Sequence, residues 1–418
     1  MSYAGVTTRF LRADERHIPV SLTTLPLVIE AKEQKDLDFL TNFLSSHSSE
    51  LKRDIATYGA VLLRGFKVTT TEAFEQTVLS ISGMQGMSHL FMSEPGRTLV
   101  DNLKYVFHTN TKMKTGGAFT LGGFHNENYY SPDVPSYISF YCLKPSKWGG
   151  ETGLIHMNSV YEKLDVSLKE KLEKSAFPVA KWPIAFVSQR YKISKEEVKK
   201  ICGDFGLSVV NDEFLLMSKP SVINDIGTDK KVIQANLGAE IPSLNEAVLS
   251  LFMSDYHGIK WVLHKMVWKL LGYQKQRKLF FTLGAFFKNP LLFVRFFKKR
   301  QDMQKRLNQY NSTQSSRISS VFEDKDVPIL AALIRDSYAA FTWQANDVLL
   351  IDNLQVAHAG MPGRTTKKHP REIRAMLCNP LKINYAENAA GVQKHPGVRT
   401  ETLGECMHKA GIENVIKI

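Results

Sequence analysis

The chain has 418 residues, of which 43% are hydrophobic, and a formal net charge of +13. That is ample apolar material for a large buried core. The absence of an internal repeat or a long low-complexity tract sets aside repeat arrays. Four cysteines, Cys142, Cys202, Cys378 and Cys406, are widely spaced with no Cys-x-x-Cys pair, so they read as reduced thiols and not as a disulfide framework.

In chain order, Met1 to Pro19 carries charges and lacks the apolar run of a signal peptide, so the expected compartment is cytoplasmic. Between 33 and 57, Leu37, Leu40, Phe43 and Leu44 fall at helical spacing, ahead of the strand-like Ala60 to Leu63. A second helix is predicted around 72–82. Ile138, Phe140 and Cys142 alternate with Tyr137, Ser139 and Tyr141, the period of a strand. Ser194 with Glu197 three residues later is a capping box that opens a helix through Ile201. Segments 347–351 and 371–378 read as buried strands. A β core wrapped by helices follows.

Chemistry concentrates in Phe124-His125-Asn126-Glu127, in Gly149-Gly150-Glu151-Thr152, and in Asp352 through His358. Residues i and i+2 of an extended segment project from one side, so His125 and Glu127 can present an imidazole and a carboxylate to one metal. With 12 His and 41 acidic residues, about one His-x-Asp/Glu pair is expected by chance, so the pair alone decides little. The apolar strand Val348 to Ile351, the turn Asp352-Asn353 and then His358 supply a third ligand. Two histidines and a carboxylate form the facial triad of non-heme Fe(II) oxygenases, which leaves positions open for a cosubstrate and dioxygen. Ligands drawn from both halves of the chain argue for one catalytic domain over 1–418, with an insertion at 251–320 and a C-terminal extension at 381–418.

Taken together, Tyr58 to Phe66, the His125 phrase through Gly150-Glu151-Thr152, and His358 through Pro370-Arg371-Glu372-Ile373 resemble the taurine dioxygenase-like (TauD/TfdA) family of Fe(II)/2-oxoglutarate-dependent oxygenases. The branch with Glu in the triad, which includes clavaminate synthase-like and syringomycin-type hydroxylases, is the most similar. The resemblance implies a mixed α/β fold whose core is a double-stranded β-helix (jelly roll), with flanking helices and a helical insertion. It also implies that His125, Glu127 and His358 hold Fe(II) and that 2-oxoglutarate chelates the metal. Arg371 would grip the far carboxylate with paired, charge-assisted bonds, and Thr152 would help to seat it. Dioxygen is the oxidant. The implied reaction hydroxylates an unactivated C–H of a small carboxylate, an amino acid or a tethered or lipid-like substrate, and releases succinate and CO2.

The family pattern is not matched everywhere. Its His-Gly-Arg after the third ligand is His358-Ala359-Gly360 here, and Arg374 follows Arg371 by three residues where relatives often place an arginine at four. On a strand, three apart means opposite faces, so a substrate role for Arg374 competes with one turned away from the site. Asn128 and Tyr129 are polar enough to orient a substrate and equally suited to a turn. His108 reads as a satisfied histidine before it reads as a substrate contact, and His369, in a polar loop, is the rival to His358.

The net positive charge is concentrated in one stretch. From Lys260 to Arg306 there are nine Lys and four Arg against a single acid, Asp302, with ten aromatics interleaved. The longest charge-free run, Leu279 to Phe287, is nine residues, too short to span a bilayer. The favoured reading is a helical cover with its aromatics inward. An anionic membrane surface and an acidic carrier protein bearing a tethered substrate are the alternatives. Nucleic acid is set aside because no recognisable module accompanies the charge. Self-association into a homo-oligomer stays open. Two rivals to the oxygenase are a non-catalytic, degenerate oxygenase fold that binds membrane or partner, and a cupin-like metal isomerase with no use for an Arg371 clamp.

Overall fold

The structure is a computed structural model that describes residues 3–16, 24–92, 98–109, 124–234, 242–259, 322–364, 369–381 and 398–412, with isolated positions between 261 and 290 and at 392. Its strands in chain order are β1 (Val6–Phe10), β2 (Leu27–Ala31), β3 (Ala60–Arg64), β4 (Val106–His108), β5 (Pro135–Lys144), β6 (Trp148–Gly149), β7 (Thr152–His156), β8 (Ala176–Pro183), β9 (Ser208–Val210), β10 (Phe214–Pro220), β11 (Val222–Asn224), β12 (Lys231–Ile233), β13 (Tyr338–Phe341), β14 (Val348–Asp352), β15 (Val356–Gly360), β16 (Gly363–Arg364) and β17 (Glu372–Pro380). Seven form a sheet in the order β1-β2-β3-β14-β5-β17-β4, antiparallel except where β2 lies beside β3. Three more form a small sheet, β13-β7-β15.

The unbroken apolar run Val348 to Ile351 needs cover on both faces, and β14 obtains it at the centre of the large sheet. Leu349 and Ile351, with Val28, Leu62, Phe140 and Ala375, meet Leu154, Ala339, Phe341 and Val356 of the small sheet. Val348 and Leu350, with Ile29, Val61, Leu63 and Tyr141, lie under the helices Leu37–Ser46, Ser48–Tyr58 and Thr71–Leu79. The helix expected over 33–57 is two helices. His47 breaks it, and the Ser48 hydroxyl turns back to donate to Leu44 O at 2.7 Å. Thr70 caps the third helix, and Ser194 with Glu197 forms a reciprocal capping box before the helix Lys195–Asp204.

A buried ion network fixes one end of the sheets. Arg64, at the end of β3, donates to Asp347 Oδ2 at 2.6 Å and to Glu15 Oε1 at 2.8 Å, and all three residues are buried. Removing one member of such a group strands the others away from water and costs about 3–5 kcal/mol. The outer face of the small sheet (Ile155, Ala340 and Ala357) joins a third core with the helices Met157–Glu162, Pro242–Asp255 and Asp326–Asp336. All four cysteines are free thiols, and three of them are buried.

The sequence-defined insertion of 251–320 is described over the end of the helix Pro242–Asp255 and at helical positions between 259 and 270. Positions 271–289 and 291–321, which hold most of the basic, aromatic stretch, lie outside the described residues. In the C-terminal extension, the helix Leu403–Lys409 carries a Thr402/Glu405 capping box, and Asp133 accepts from Leu403 N at 2.6 Å. No described helix is long and apolar enough to cross a membrane.

Candidate metal centre and cosubstrate clamp

The metal-ligand arrangement begins with a backbone contact. Outside any named strand, His125 forms an isolated antiparallel bridge with His358 of β15, exchanging His125 N to His358 O at 3.1 Å and His358 N to His125 O at 2.9 Å. Residues that exchange both bonds face each other with side chains on one side of the ladder, and the two imidazole centroids lie 4.7 Å apart. Glu127, two residues on, returns to that side. Its Oε2 lies 3.8 Å from His125 Nε2 and 3.6 Å from His358 Nε2. Those separations are too long for hydrogen bonds but within the roughly 4.2 Å that two metal bonds of about 2.1 Å can span. Among the described residues this is the one cluster of three His, Cys, Asp or Glu side chains with ligand atoms within 4.8 Å of one another. Glu127 and His358 are buried and His125 is half-buried. Two imidazoles and one carboxylate suit Fe(II).

Asn353 holds the ligand loop in place. Its Oδ1 accepts from Glu127 N at 2.6 Å, while its Nδ2 donates to Glu127 O at 3.0 Å and to Pro135 O at 2.9 Å. Asn126 reaches back across the same gap, donating to Asn353 O at 2.6 Å. Asp352 Oδ1 in turn accepts from Leu354 N and Gln355 N, which shapes the turn that leads into β15. In the sequence Asp352-Asn353 reads as a turn, which does not expose this bracket. An Asn just past a buried strand and five residues before a ligand was the only available signal.

Of the two candidate clamp residues, Thr152 sits along the same ladder. His358 pairs with Leu154 and Gly360 with Thr152, so the Thr152 side chain is on the His358 face, one two-residue step away. Trp343 Nε1 donates to Thr152 Oγ1 at 3.0 Å, so the hydroxyl proton is left to donate. Gly360, opposite Thr152, has no side chain of its own, which leaves room beside that hydroxyl. Arg371, just before β17, donates from Nε to Gly150 O at 3.0 Å. Gly149 and Gly150 have φ of 62° and 72°, and a Cβ on Gly150 would come within 2.2 Å of Ser146 Oγ and 3.3 Å of Arg371 Cδ. Only glycine permits that approach.

Loss of solvent pulls the Arg371 guanidinium below its ordinary value, while Cys142 and Glu151 pull it back. Glu151 itself is buried, and burial pushes its carboxyl up to about 7, against a backbone hydrogen bond and the attraction of Arg371. The sequence places Glu151 in the motif without exposing its burial.

Asn128 is buried in the turn after Glu127 at φ 53°, a left-handed conformation that asparagine tolerates, and its Nδ2 makes no hydrogen bond among the described residues. Tyr129 follows, half-buried, its ring edge-on to Tyr130. Arg374 is not brought to the site. A register shift between Glu372 and Ile373 leaves Ile373 and Ala375 on the inner face, while Arg374 lies opposite Tyr141 and His108 and pairs with Glu372 at 3.3 Å. His108 accompanies it, lowered by burial and by Arg374. His369 is exposed and lies outside the ligand cluster.

Residues 21–183 match the family model described as Taurine catabolism dioxygenase TauD, TfdA family. This TauD-like segment contains His125, Glu127 and Thr152 and ends before His358 and Arg371, which the fold returns to it. A clavaminate synthase-like protein of Arabidopsis thaliana is 28% identical over 148 residues. The alignment covers 35% of this chain and 38% of the relative, so it spans well under half of either. Among solved structures, a taurine dioxygenase from Burkholderia xenovorans is 11% identical, over 98% of this chain and all of that one, with a TM-score of 0.46. The PvcB protein from Pseudomonas aeruginosa is 13% identical, over 96% of this chain and 98% of its own, with a TM-score of 0.45.

Proposed function

We propose that this protein is an Fe(II)- and 2-oxoglutarate-dependent oxygenase acting on a small molecule, its two facing sheets forming a double-stranded β-helix. The observation that carries the reading is the His125–His358 bridge. It brings two imidazoles to within 3.8 Å of Glu127, on the inner face that also carries Thr152. His125, Glu127 and His358 would hold the metal through one carboxylate and two neutral imidazoles. Bound there, Fe(II) supplies the dioxygen chemistry that converts 2-oxoglutarate to succinate and CO2 and hydroxylates an unactivated C–H.

The chain's own work is placement. Arg371 pairs with the far carboxylate of the cosubstrate through charge-assisted bonds, its position set by the bond from its Nε to Gly150 O. Thr152, its oxygen occupied by Trp343, donates its proton to the same carboxylate. The buried wall of Phe140, Leu154 and Ile373 keeps water from that pair, which strengthens it. Asn353 fixes the direction of Glu127, and Asn128 and Tyr129 offer polar contacts to a substrate with a carboxylate or amine. Small carboxylates, amino acids and tethered or lipid-like molecules all fit this description.

The test is an anaerobic Fe(II) titration with and without 2-oxoglutarate, followed by the visible charge-transfer band of the chelate. The parent protein develops the band, and Glu127→Ala loses both the band and Fe(II) affinity. Arg371→Leu keeps Fe(II) binding but raises the 2-oxoglutarate requirement, because an unpaired, desolvated carboxylate costs about 2–5 kcal/mol. No band in the parent would favour the degenerate, non-catalytic fold. A metal-bound protein indifferent to 2-oxoglutarate would favour the isomerase.

A further inference from the structure

Beyond the metal centre, the described residues expose twelve large hydrophobic side chains, and five of them fall within twelve positions: Ile259, Val262, Leu263, Met266 and Leu270. The other seven are scattered singly, as is ordinary for a protein surface. Positions 259, 261–263, 265, 266, 269 and 270 are helical. At about 100° per residue the five apolar side chains occupy one stripe roughly 100° wide. Ile259 is 88% exposed, Leu270 79%, and the other three are each just over half exposed. Trp261 is on the opposite side of the helix and is buried, edge-on to Trp148 at 5.1 Å and tilted against Tyr256 at 4.2 Å. The helix is therefore anchored by its inward ring and carries a second apolar face toward solvent, the reverse of a surface helix on a globular domain.

We infer that the described helical residues between 259 and 270 dock this protein on an anionic lipid surface, with the apolar stripe seated at the headgroup boundary. Charge selects that occupant. Lys265 and Lys269 stand beside the stripe, and the stretch from Lys260 to Arg306 holds thirteen basic residues against Asp302 alone. A second copy of this chain would set the same positive charge against itself, whereas an anionic headgroup layer attracts it while the acyl boundary accepts the five side chains. Lysine stems can lie along the apolar boundary with their ammonium groups in the headgroups. The anchor adds a functional placement: Trp148 in β6 adjoins Gly149 and Gly150, whose carbonyl receives Arg371, so the docking helix packs on the wall of the proposed clamp. Docking itself does not depend on the oxygenase reading, and binding and turnover are read separately.

The experiment is flotation of the full chain with vesicles of phosphatidylcholine alone or with about 30 mol % phosphatidylserine, at low and high salt. The parent floats with the anionic vesicles and is released as salt rises, since exposed charges are screened over about 8 Å at 0.15 M. Leu263→Asp combined with Met266→Asp reduces partitioning about tenfold or more. Both side chains are already solvent-facing, so the thermal midpoint stays unchanged, which separates lost docking from lost folding. Flotation retained by the double variant would assign binding to the basic stretch alone and overturn the inference. No flotation by the folded parent would overturn it as well. Sedimentation that shows a dimer broken by the double variant would then identify the stripe as a contact between copies.

Discussion

The candidate metal loop and the basic, aromatic stretch that begins at Lys260 were both conspicuous in the sequence, and the fold treats the loop and the described helical positions between 259 and 270 in opposite ways. The loop is fixed from several directions: His125 exchanges two backbone bonds with His358, and Asn353 makes three to the backbone around Glu127. The helix is described with one buried ring, Trp261, while its apolar stripe faces solvent. A site that must hold ligand atoms to fractions of an ångström needs redundant constraint. A surface that meets a fluid partner does not, and its apolar groups gain cover only in the complex. The difference separates residues placed for geometry from residues placed for encounter.

The largest effect that can break this contrast is expected at Asn353. Asn353→Ala leaves Glu127 N, Glu127 O and Pro135 O without their partners in a buried site, at about 3–5 kcal/mol in all. Fe(II) affinity falls about 10–100-fold even though no ligand has been removed. Calorimetric unfolding and metal titration on the same variant measure both quantities. Trp261→Ala is its counterpart: hydrogen exchange rises locally over 257–270 while Fe(II) affinity holds. If Asn353→Ala bound Fe(II) like the parent, or if Trp261→Ala abolished Fe(II) binding, the division between the two regions would be wrong.

Next in size is a titration inside the constrained region. His156 pairs with Val356 on the β7–β15 ladder and is buried, and burial and then Lys230 lower its pKa to about 4. A depressed histidine stays neutral in the fold while the unfolded chain takes up a proton below about 6.5, so its contribution is present above pH 6.5 and is lost as pH falls toward 4. That loss is on the order of 3 kcal/mol. Glu151 acts in the other direction, because a raised carboxyl gains stability as pH falls from about 7 toward its ordinary value. The whole-protein profile mixes the two, so the diagnostic quantity is the difference between parent and His156→Asn. Denaturant midpoints at pH 7 and pH 4.5 should converge between the two proteins as the pH is lowered. A constant gap would remove His156 as the titrating group.

How much of this was legible in the sequence depends on whether a feature is carried by spacing or by burial. The i, i+2 placement of His125 and Glu127 is local, as are the capping box at Ser194 and the apolar run of β14, and each lies where its pattern puts it. The break at His47 was hidden because the apolar spacing continues across it. The Asn353 bracket was hidden because a turn asparagine looks the same whether it faces water or the buried backbone of a residue 226 positions away. At the described helical positions between 259 and 270 the limit is burial: the composition of the stretch does not tell which of two faces the fold covers.

Arg371 and Arg374 repeat the contrast at the smallest scale, three residues apart on one strand edge. Arg371 shares the parity of Ile373 and Ala375 and reaches Gly150 on the inner face, whereas Arg374 points to the outer face toward Glu372 and His108. The Arg374–Glu372 pair is partly exposed and 3.3 Å long, so it contributes at most about 1 kcal/mol. Arg374→Ala is therefore expected to leave both Fe(II) binding and the 2-oxoglutarate requirement at parental values and to shift stability by less than about 1 kcal/mol. The His108 pKa should rise toward its ordinary value, because a positive neighbour has been removed and burial alone then lowers it. An NMR titration of His108 alongside the cosubstrate assay reads both outcomes. A steep rise in the 2-oxoglutarate requirement on Arg374→Ala, with Arg371→Leu unaffected, would exchange the roles of the two arginines and with them the assignment of the strand's inner face.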